Sequence, residues 1–287
     1  MSHRTSHYRR RQQCKAQSAD AGRQRTHGVC GRTGELVLQL RSTSSPSHHT
    51  GGVLKATLSK LFDSASSLNK RNIKELVQDR PYPLMCDLGC DDGELTCEVG
   101  RAAHSTALFG VEIVPVRAGI AASRGIGVSI ADLNGTLPFA DGSFDLVHTN
   151  QVIEHLSVID HFLTEIRRVL RIGGTAIVST ENGSSWHNVF AAAMGWQIFS
   201  LTNVSTVALG IGNPFAIHRG SHLEFTYSAH KTILNYRGLI EILEVHGLRV
   251  VQTSGAGYHP FPPEVGRVDK RHAHFITAKA LKVPWSQ

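Results

Sequence analysis

Apolar positions give the first outline of the chain. From Val53 to Gln78 they fall at helical spacing, Leu54, Leu58 and Leu61 and then Ile73, Leu76 and Val77, which predicts one or two helices ahead of Pro81 and Pro83. Beyond the prolines, short apolar runs alternate with helical periods. Strands are predicted over Leu84–Leu88, Ala107–Glu112, Gly127–Ile130, Phe144–Thr149 and Thr175–Thr180. Helices are predicted over Gly93–Ala103, Pro115–Ser123 and Val158–Leu170, the last stopped by Gly173 and Gly174. This alternation of apolar strands with helices predicts an α/β fold, a parallel sheet covered by helices on both faces. After Thr180 the rhythm breaks, and aromatic and small residues mix through Trp186, Phe190, Met194, Trp196, Phe199 and Phe215. A long stretch of this kind inside a domain is expected to be a lid or binding segment with helices of its own. A helix over Ala229–His246 and strands over Leu248–Thr253 and His274–Leu281 complete the outline, and no internal repeat is visible.

Composition adds a core and a charged end. The 287 residues are 41% apolar, enough to bury a substantial interior. Of the formal charge of +7, all resides in residues 1–52, where nine Lys and Arg stand against Asp20 and Glu35; the remaining 21 basic and 21 acidic residues cancel. That segment has one short apolar run, Leu36–Leu40, and is expected to be a disordered basic extension ahead of a domain at 53–287. Three readings compete, a nucleic-acid arm, an Arg- and Ser-rich targeting peptide, and, ahead of either, upstream sequence included by a wrongly chosen start, with translation beginning near Val53. Cys86, Cys90 and Cys97 lack a nearby fourth ligand, so reduced, buried thiols in a cytoplasmic protein are expected and no metal ligand is assigned. The apolar stretch Val189–Gly212 is broken by Gln197, Thr202, Asn203, Ser205 and Thr206, so no membrane span is expected.

The segment MCDLGCDDGELTCEVGRAA, Met85–Ala103, reads as strand, glycine-containing turn and helix start. Such a turn offers free amide N–H groups and close backbone approach to a ligand at the carboxyl end of a sheet. Glu112 ends the next strand, where a carboxylate can accept both hydroxyls of a ribose. Asp132-Leu133 follows the third strand; then come LPFADGSFDLV (Leu137–Val147), NQVIEHL (Asn150–Leu156) and LRIGGTAIVST (Leu170–Thr180). In this order the motifs resemble the class I S-adenosylmethionine-dependent methyltransferases, in particular the type 11 methyltransferase domain, over about Leu84–Thr180.

The resemblance implies a Rossmann-like seven-stranded sheet of order 3-2-1-4-5-7-6 with the last strand antiparallel, and S-adenosyl-L-methionine as cofactor. It implies that Asp87, Gly89 and Gly93 form the loop beside the methionine moiety and that Glu112 binds the ribose. Asp132 matches the residue that contacts the adenine amino group, Leu133 packs nearby, and Asn150 lies where backbone approaches the transferable methyl. Asp91 departs from the family pattern by standing where a glycine is usual. Aspartate tolerates the left-handed backbone at a cost of about 1 kcal/mol. With Asp92, it sets two carboxylates at the turn, which either repel the cofactor's carboxylate or attract its sulfonium.

Methyl transfer from a sulfonium needs alignment and exclusion of water, and a base only where the acceptor carries a proton. His155, just beyond the fourth strand, and His187, at the opening of the lid, are the candidate catalytic residues; a packed or surface histidine is the plain alternative for each. The expected function is methyl transfer to a small, fairly apolar acceptor enclosed by a lid over about residues 183–227, with no nucleic-acid partner. Two alternatives stand beside it. Metal-dependent small-RNA 3′-terminal 2′-O-methyltransferases carry an ExxEH-like segment and later histidines; Glu154, His155 and HLEFT (His222–Thr226) echo them, with Gln151 in place of the first acid. A non-catalytic cofactor-binding scaffold or regulator is the other, favoured by Asp91.

Overall fold

The computed structural model describes residues 49–221 and 228–284. Its strands are β1 (Leu84–Leu88), β2 (Ala107–Glu112), β3 (Gly127–Ile130), β4 (Phe144–Asn150), β5 (Leu170–Glu181), β6 (Leu248–Ala256) and β7 (Phe275–Lys282). They form one sheet of order β3-β2-β1-β4-β5-β7-β6. The first five strands are parallel, and β7 runs antiparallel to both β5 and β6. Alternate residues along each central strand enter opposite layers. Met85, Leu146 and Ile177 pack with Ile73, Leu76 and Val99 on one face, while Cys86, Val147, Ala176 and Val178 meet Phe162, Leu163, Ile166, Leu239 and Leu243 on the other. Burial on both faces is why these strands read as apolar throughout.

Helices α1 (His49–Leu76) and α2 (Glu94–Ala102) cover the first face; α4 (Ile159–Val169) and α6 (Tyr236–Val245) cover the second. Helices α3 (Pro115–Ser123), α5 (Trp186–Ala193) and α7 (Val265–Val268) complete the set among the described residues. The stripe Phe162, Leu163, Ile166, Val169 on α4 is completely buried, and each such side chain contributes about 1.5–3 kcal/mol.

Several boundaries differ from the sequence expectation, two of them for a visible physical reason. Helix α4 does not run to the Gly173-Gly174 pair: β5 starts directly at Leu170, which pairs with Phe144 before Thr175 pairs with Leu146, so residues 171–174 bulge from the ladder with Gly173 at φ +73°. The helix predicted from Ala229 begins at Tyr236, because Lys231 N and Thr232 N donate to the Glu154 carbonyl and hold this stretch in an extended course. Helix α7 carries no sequence signal strong enough to predict it. The basic extension expected over 1–52 lies outside the described residues up to residue 48, and residues 49–52 open α1. The end of the expected lid, residues 222–227 with His222, is likewise outside them. The described part of that lid is a packed cap in which buried Asn188 donates to the Asn182 carbonyl and the Ser200 hydroxyl, and Asn213 donates to the Gln197 carbonyl.

Candidate active site

Strand β1 runs into a turn with Gly89 at φ +84°, Asp91 at +49° and Gly93 at +81°. Gly89 N and Cys90 N both donate to the Val111 carbonyl, at 2.9 and 3.1 Å, which fastens the turn to β2. A Cβ at Gly89 would stand 2.5 Å from Val152 Cγ2, so glycine is required both by the backbone and by the approach of the loop after β4. Asp87 sits beneath the turn, buried. Its Oδ2 accepts from the Thr96 hydroxyl at 2.6 Å and its Oδ1 lies 2.9 Å from His148 Nδ1, so it braces α2 and β4 against β1. Burial pushes the Cys90 thiol up to about 12, and Cys86, Cys90 and Cys97 are free thiols.

Glu112 closes the same corner. Its Oε2 accepts from Asp91 N at 2.9 Å and its Oε1 from Val114 N at 2.8 Å, leaving a lone pair on each oxygen, the acceptor arrangement that a vicinal diol needs. Asp132 is exposed and its Oδ1 accepts from both nitrogens of Asn134, beside buried Leu133. Ala131 N reaches the Glu112 carbonyl at 3.3 Å, so Gly89, Glu112 and Asp132 stand on adjoining strand tips. The two carboxylates at the turn are charge-compensated from α3 and its end: Arg117 grips Asp91 through two nitrogens and lies 3.6 Å from Asp92, which Arg124 meets at 3.7 Å. At the tip of β4, Asn150 Oδ1 accepts from Asn69 of α1, and Gln151 takes φ +57°, a left-handed conformation rare outside glycine.

Beyond β5, a cavity of about 250 Å³ lies between α1 and the cap, not directly over Gly89 and Glu112. Leu58, Phe62, Phe199 and Leu209 supply its apolar wall, and Glu181, His187, His230, His259 and His274 its polar one. A second, more open cleft is bounded by Trp186, Phe190, Phe199 and Phe215; Trp196 packs behind it against Phe190 and Phe215. His187 thus reaches the cavity wall, with Nε2 3.3 Å from the Ser185 hydroxyl, and burial followed by the neighbouring His259 lowers its pKa to about 3. His155 sits behind His230, ring centroids 4.7 Å apart, and burial takes it down to about 4. Both imidazoles are therefore neutral at pH 7 and weak as bases. The sequence assigns no metal ligand, yet the fold gathers two groups of ligand-type side chains, His187–His259–His274 and Glu154–His155–His230. Glu154 and His155 are adjacent and echo the ExxEH-like segment of the metal-dependent alternative, whereas His187, His230, His259 and His274 come from separate segments that spacing does not connect.

Comparison with known proteins fits this frame. Residues 86–178 match the type 11 family described as a methyltransferase domain. The chain is 23% identical over 197 residues to a trans-aconitate 2-methyltransferase of Deinococcus radiodurans, covering 68% of this chain and 73% of that one. It is 28% identical over 189 residues to a ubiquinone biosynthesis O-methyltransferase of Sinorhizobium fredii, covering 63% and 67%. A solved S-adenosylmethionine-dependent methyltransferase from Thermotoga maritima shares the fold with a TM-score of 0.50 at 17% identity, over 82% of this chain and all of that one. Over residues 86–178 the chain is similar to the S-adenosylmethionine-dependent methyltransferases and shares their fold, with S-adenosylmethionine as the cofactor. The two lone pairs left on Glu112 and the left-handed turn at residues 89–93 fit that cofactor's ribose and its need for close backbone approach.

Proposed function

We propose that this enzyme methylates a small, fairly apolar acceptor held in the cavity beyond β5. The observation that carries this reading is the cavity itself, with its apolar wall from Leu58, Phe62 and Phe199 and a polar wall of neutral imidazoles beside Glu181 at the carboxyl end of β5. S-adenosylmethionine supplies an electrophilic methyl group on a sulfonium, taken by the acceptor in an in-line displacement.

In this reading the chain's residues bind and align. Glu112 accepts the ribose hydroxyls, Asp132 accepts from the adenine amino group with Leu133 packed beneath, and Gly89 and Gly93 permit the backbone to come close. Asp87 acts from below by bracing the turn, and the backbone at Asn150 borders the methyl. His187 orients the acceptor instead of removing its proton, since an imidazole of pKa about 3 does not hold one at neutral pH. A hydroxyl is the acceptor group such a wall favours, because a neutral imidazole such as His230, whose Nδ1 is held by the Ser200 carbonyl, presents its other nitrogen as an acceptor, and Glu181 offers carboxyl oxygens. We also place the enzyme in the cytoplasm, in keeping with its free thiols; no helix among the described residues is long and apolar enough to cross a membrane.

The test is incubation of metabolite extracts with isotopically labelled methyl donor. Labelled small products are expected with the wild type, none with Glu112→Ala, and a sharp reduction with Phe62→Trp, which fills the cavity while S-adenosylhomocysteine affinity is retained. Equal labelling by Glu112→Ala overturns the ribose assignment, and undiminished labelling by Phe62→Trp overturns the acceptor site.

A further inference from the structure

Glu154 is a buried acid with one oxygen unaccounted for. Its Oε2 accepts from the Thr180 hydroxyl at 2.9 Å, whereas Oε1 is buried with no hydrogen-bond partner among the described residues. Burial raises the Glu154 pKa to about 8, so with no cation beside it the group holds a proton at pH 7, and a cation meeting the unpartnered Oε1 would displace that proton. Lys231, the nearby cation, does not meet it: it directs its ammonium to the Ser157 hydroxyl at 2.8 Å. A second carboxylate, Glu181, adds to the unfavourable field on Glu154.

Two imidazoles face the same place. His155 Nδ1 lies 3.2 Å from the Ala229 carbonyl and His230 Nδ1 lies 2.6 Å from the Ser200 carbonyl. A carbonyl can only accept, so each ring carries its proton on Nδ1 and presents Nε2 as a lone pair. Fixing one ring nitrogen on a backbone carbonyl while the other points inward is how proteins orient histidines toward a metal. One ligand atom from each of Glu154, His155 and His230 lies within 4.8 Å of the others.

We propose that Glu154, His155 and His230 bind a divalent transition-metal ion at the inner wall of the cavity. Two neutral imidazoles and one carboxylate suit Zn²⁺, Co²⁺, Mn²⁺ or Fe²⁺ and select against Mg²⁺ and Ca²⁺, which prefer all-oxygen cages. The set comes from three segments that the fold ties together: Glu154 and His155 from the turn after β4, and His230 from the stretch whose Lys231 and Thr232 amides bond to the Glu154 carbonyl. His230 lies outside the HLEFT segment, so the grouping is a product of the fold and not of that motif. With each Nδ1 held by a backbone carbonyl, both imidazoles have a lone pair free for ligation, and a bound cation meets the unpartnered oxygen of Glu154. Three protein ligands leave a position for water or for an acceptor oxygen from the cavity that His230 lines. On the acceptor reading proposed above, a metal there would make a bound hydroxyl more acidic, so that its proton could pass to water, which the neutral histidines would not bring about.

The test reads metal binding by the full chain, without an affinity tag of histidines, and so does not depend on the acceptor assignment. Chelator-stripped protein is titrated with Co²⁺ and followed by visible absorption and X-ray absorption at the cobalt edge. One equivalent bound with two imidazole donors is expected, weakened at least tenfold by Glu154→Gln and by His230→Gln and unchanged by His187→Gln. Retained S-adenosylhomocysteine binding shows that each variant is folded. Absence of Co²⁺ binding by the wild type overturns the proposal. So does a three-imidazole spectrum lost in His187→Gln, which assigns the ion to the other histidine group. The donor count from the wild type decides the matter even if a variant fails to fold.

Discussion

Arg117 of α3 closes on Asp91 with two nitrogens, one to each carboxylate oxygen, at the position between the two glycines of the turn. This pair answers the ambiguity posed by the sequence. Asp91 adopts the left-handed backbone that a glycine would take, and its charge is turned outward onto a guanidinium instead of being left to act on the cofactor. Arg117 also borders Asp92, and the charges of Asp91, Asp92 and Glu112 all act on it. In Arg117→Gln those acids lose their shared counter-charge, and a sulfonium nearby gains about 1 kcal/mol over its neutral thioether product. Calorimetry is expected to show the affinity ratio of S-adenosylmethionine to S-adenosylhomocysteine rising roughly three- to tenfold. An unchanged ratio means that the acids do not sense the sulfonium.

Gly89→Ala carries two penalties that can be separated. The φ of +84° costs an alanine about 1–2 kcal/mol, and its Cβ meets Val152 Cγ2. Gly125 has φ +87° and nothing within 4 Å of where a Cβ would stand, so Gly125→Ala carries the backbone cost alone. Denaturant titration is expected to place Gly89→Ala about 1–3 kcal/mol below Gly125→Ala, with part of that difference restored by Val152→Ala. Equal losses for the two glycine variants show that Val152 yields without cost.

Much of this was legible in the chain because the informative signals are local. The strand from Leu84, the glycine turn and the acid ending β2 each declare themselves within a few residues, and the order of the motifs led to the sheet order observed. What stayed hidden depends on contacts distant in sequence. The start of α6 at Tyr236 is set by the Glu154 carbonyl capturing two amides of the preceding stretch, and no propensity reports that. Nothing in the motif around Asp87 reports that its two oxygens also meet Thr96 and His148. His259 and His274 meet at 2.8 Å only because β6 and β7 are neighbours.

The histidine wall makes stability sensitive to acid. Burial lowers the pKa of His187 to about 3 and that of His274 well below its ordinary 6.5, and His259 is lowered too; Glu181 lines the same cavity. At these histidines the unfolded chain takes up protons near pH 6.5 and the folded one does not, so their contribution is complete above that pH and is lost as the pH drops toward 3. Glu181, raised to about 7, acts in the opposite direction by binding its proton first in the folded state. Each such histidine adds up to about 1.4 kcal/mol per pH unit to the slope. Replacing His187 by Gln is expected to reduce the slope between about pH 6 and 4 by that amount. Denaturant midpoints taken across this range measure it, and an unaltered slope shows that His187 is protonated in the folded protein.

Asn69 joins α1 to the carboxyl edge of the sheet. Its Nδ2 donates to Asn150 Oδ1 at 3.0 Å and to Ser179 Oγ at 2.9 Å, and its Oδ1 accepts from Thr277 Oγ1 at 3.0 Å. The same helix carries Leu58 and Phe62 to the cavity, so this buried network fixes where the apolar wall stands relative to the tip of β4. Asn69→Ala strands several buried polar groups at once and is expected to cost about 2–4 kcal/mol. Asn72, one turn further on, bonds to the Gly255 carbonyl and to Arg267, away from Asn150, and serves as the comparison. Asn72→Ala is expected to lower stability without changing kinetics, whereas Asn69→Ala raises the acceptor KM severalfold while S-adenosylhomocysteine affinity is held. If both variants lose stability and neither moves KM, the network is scaffolding alone, and the placement of α1 does not govern the acceptor site.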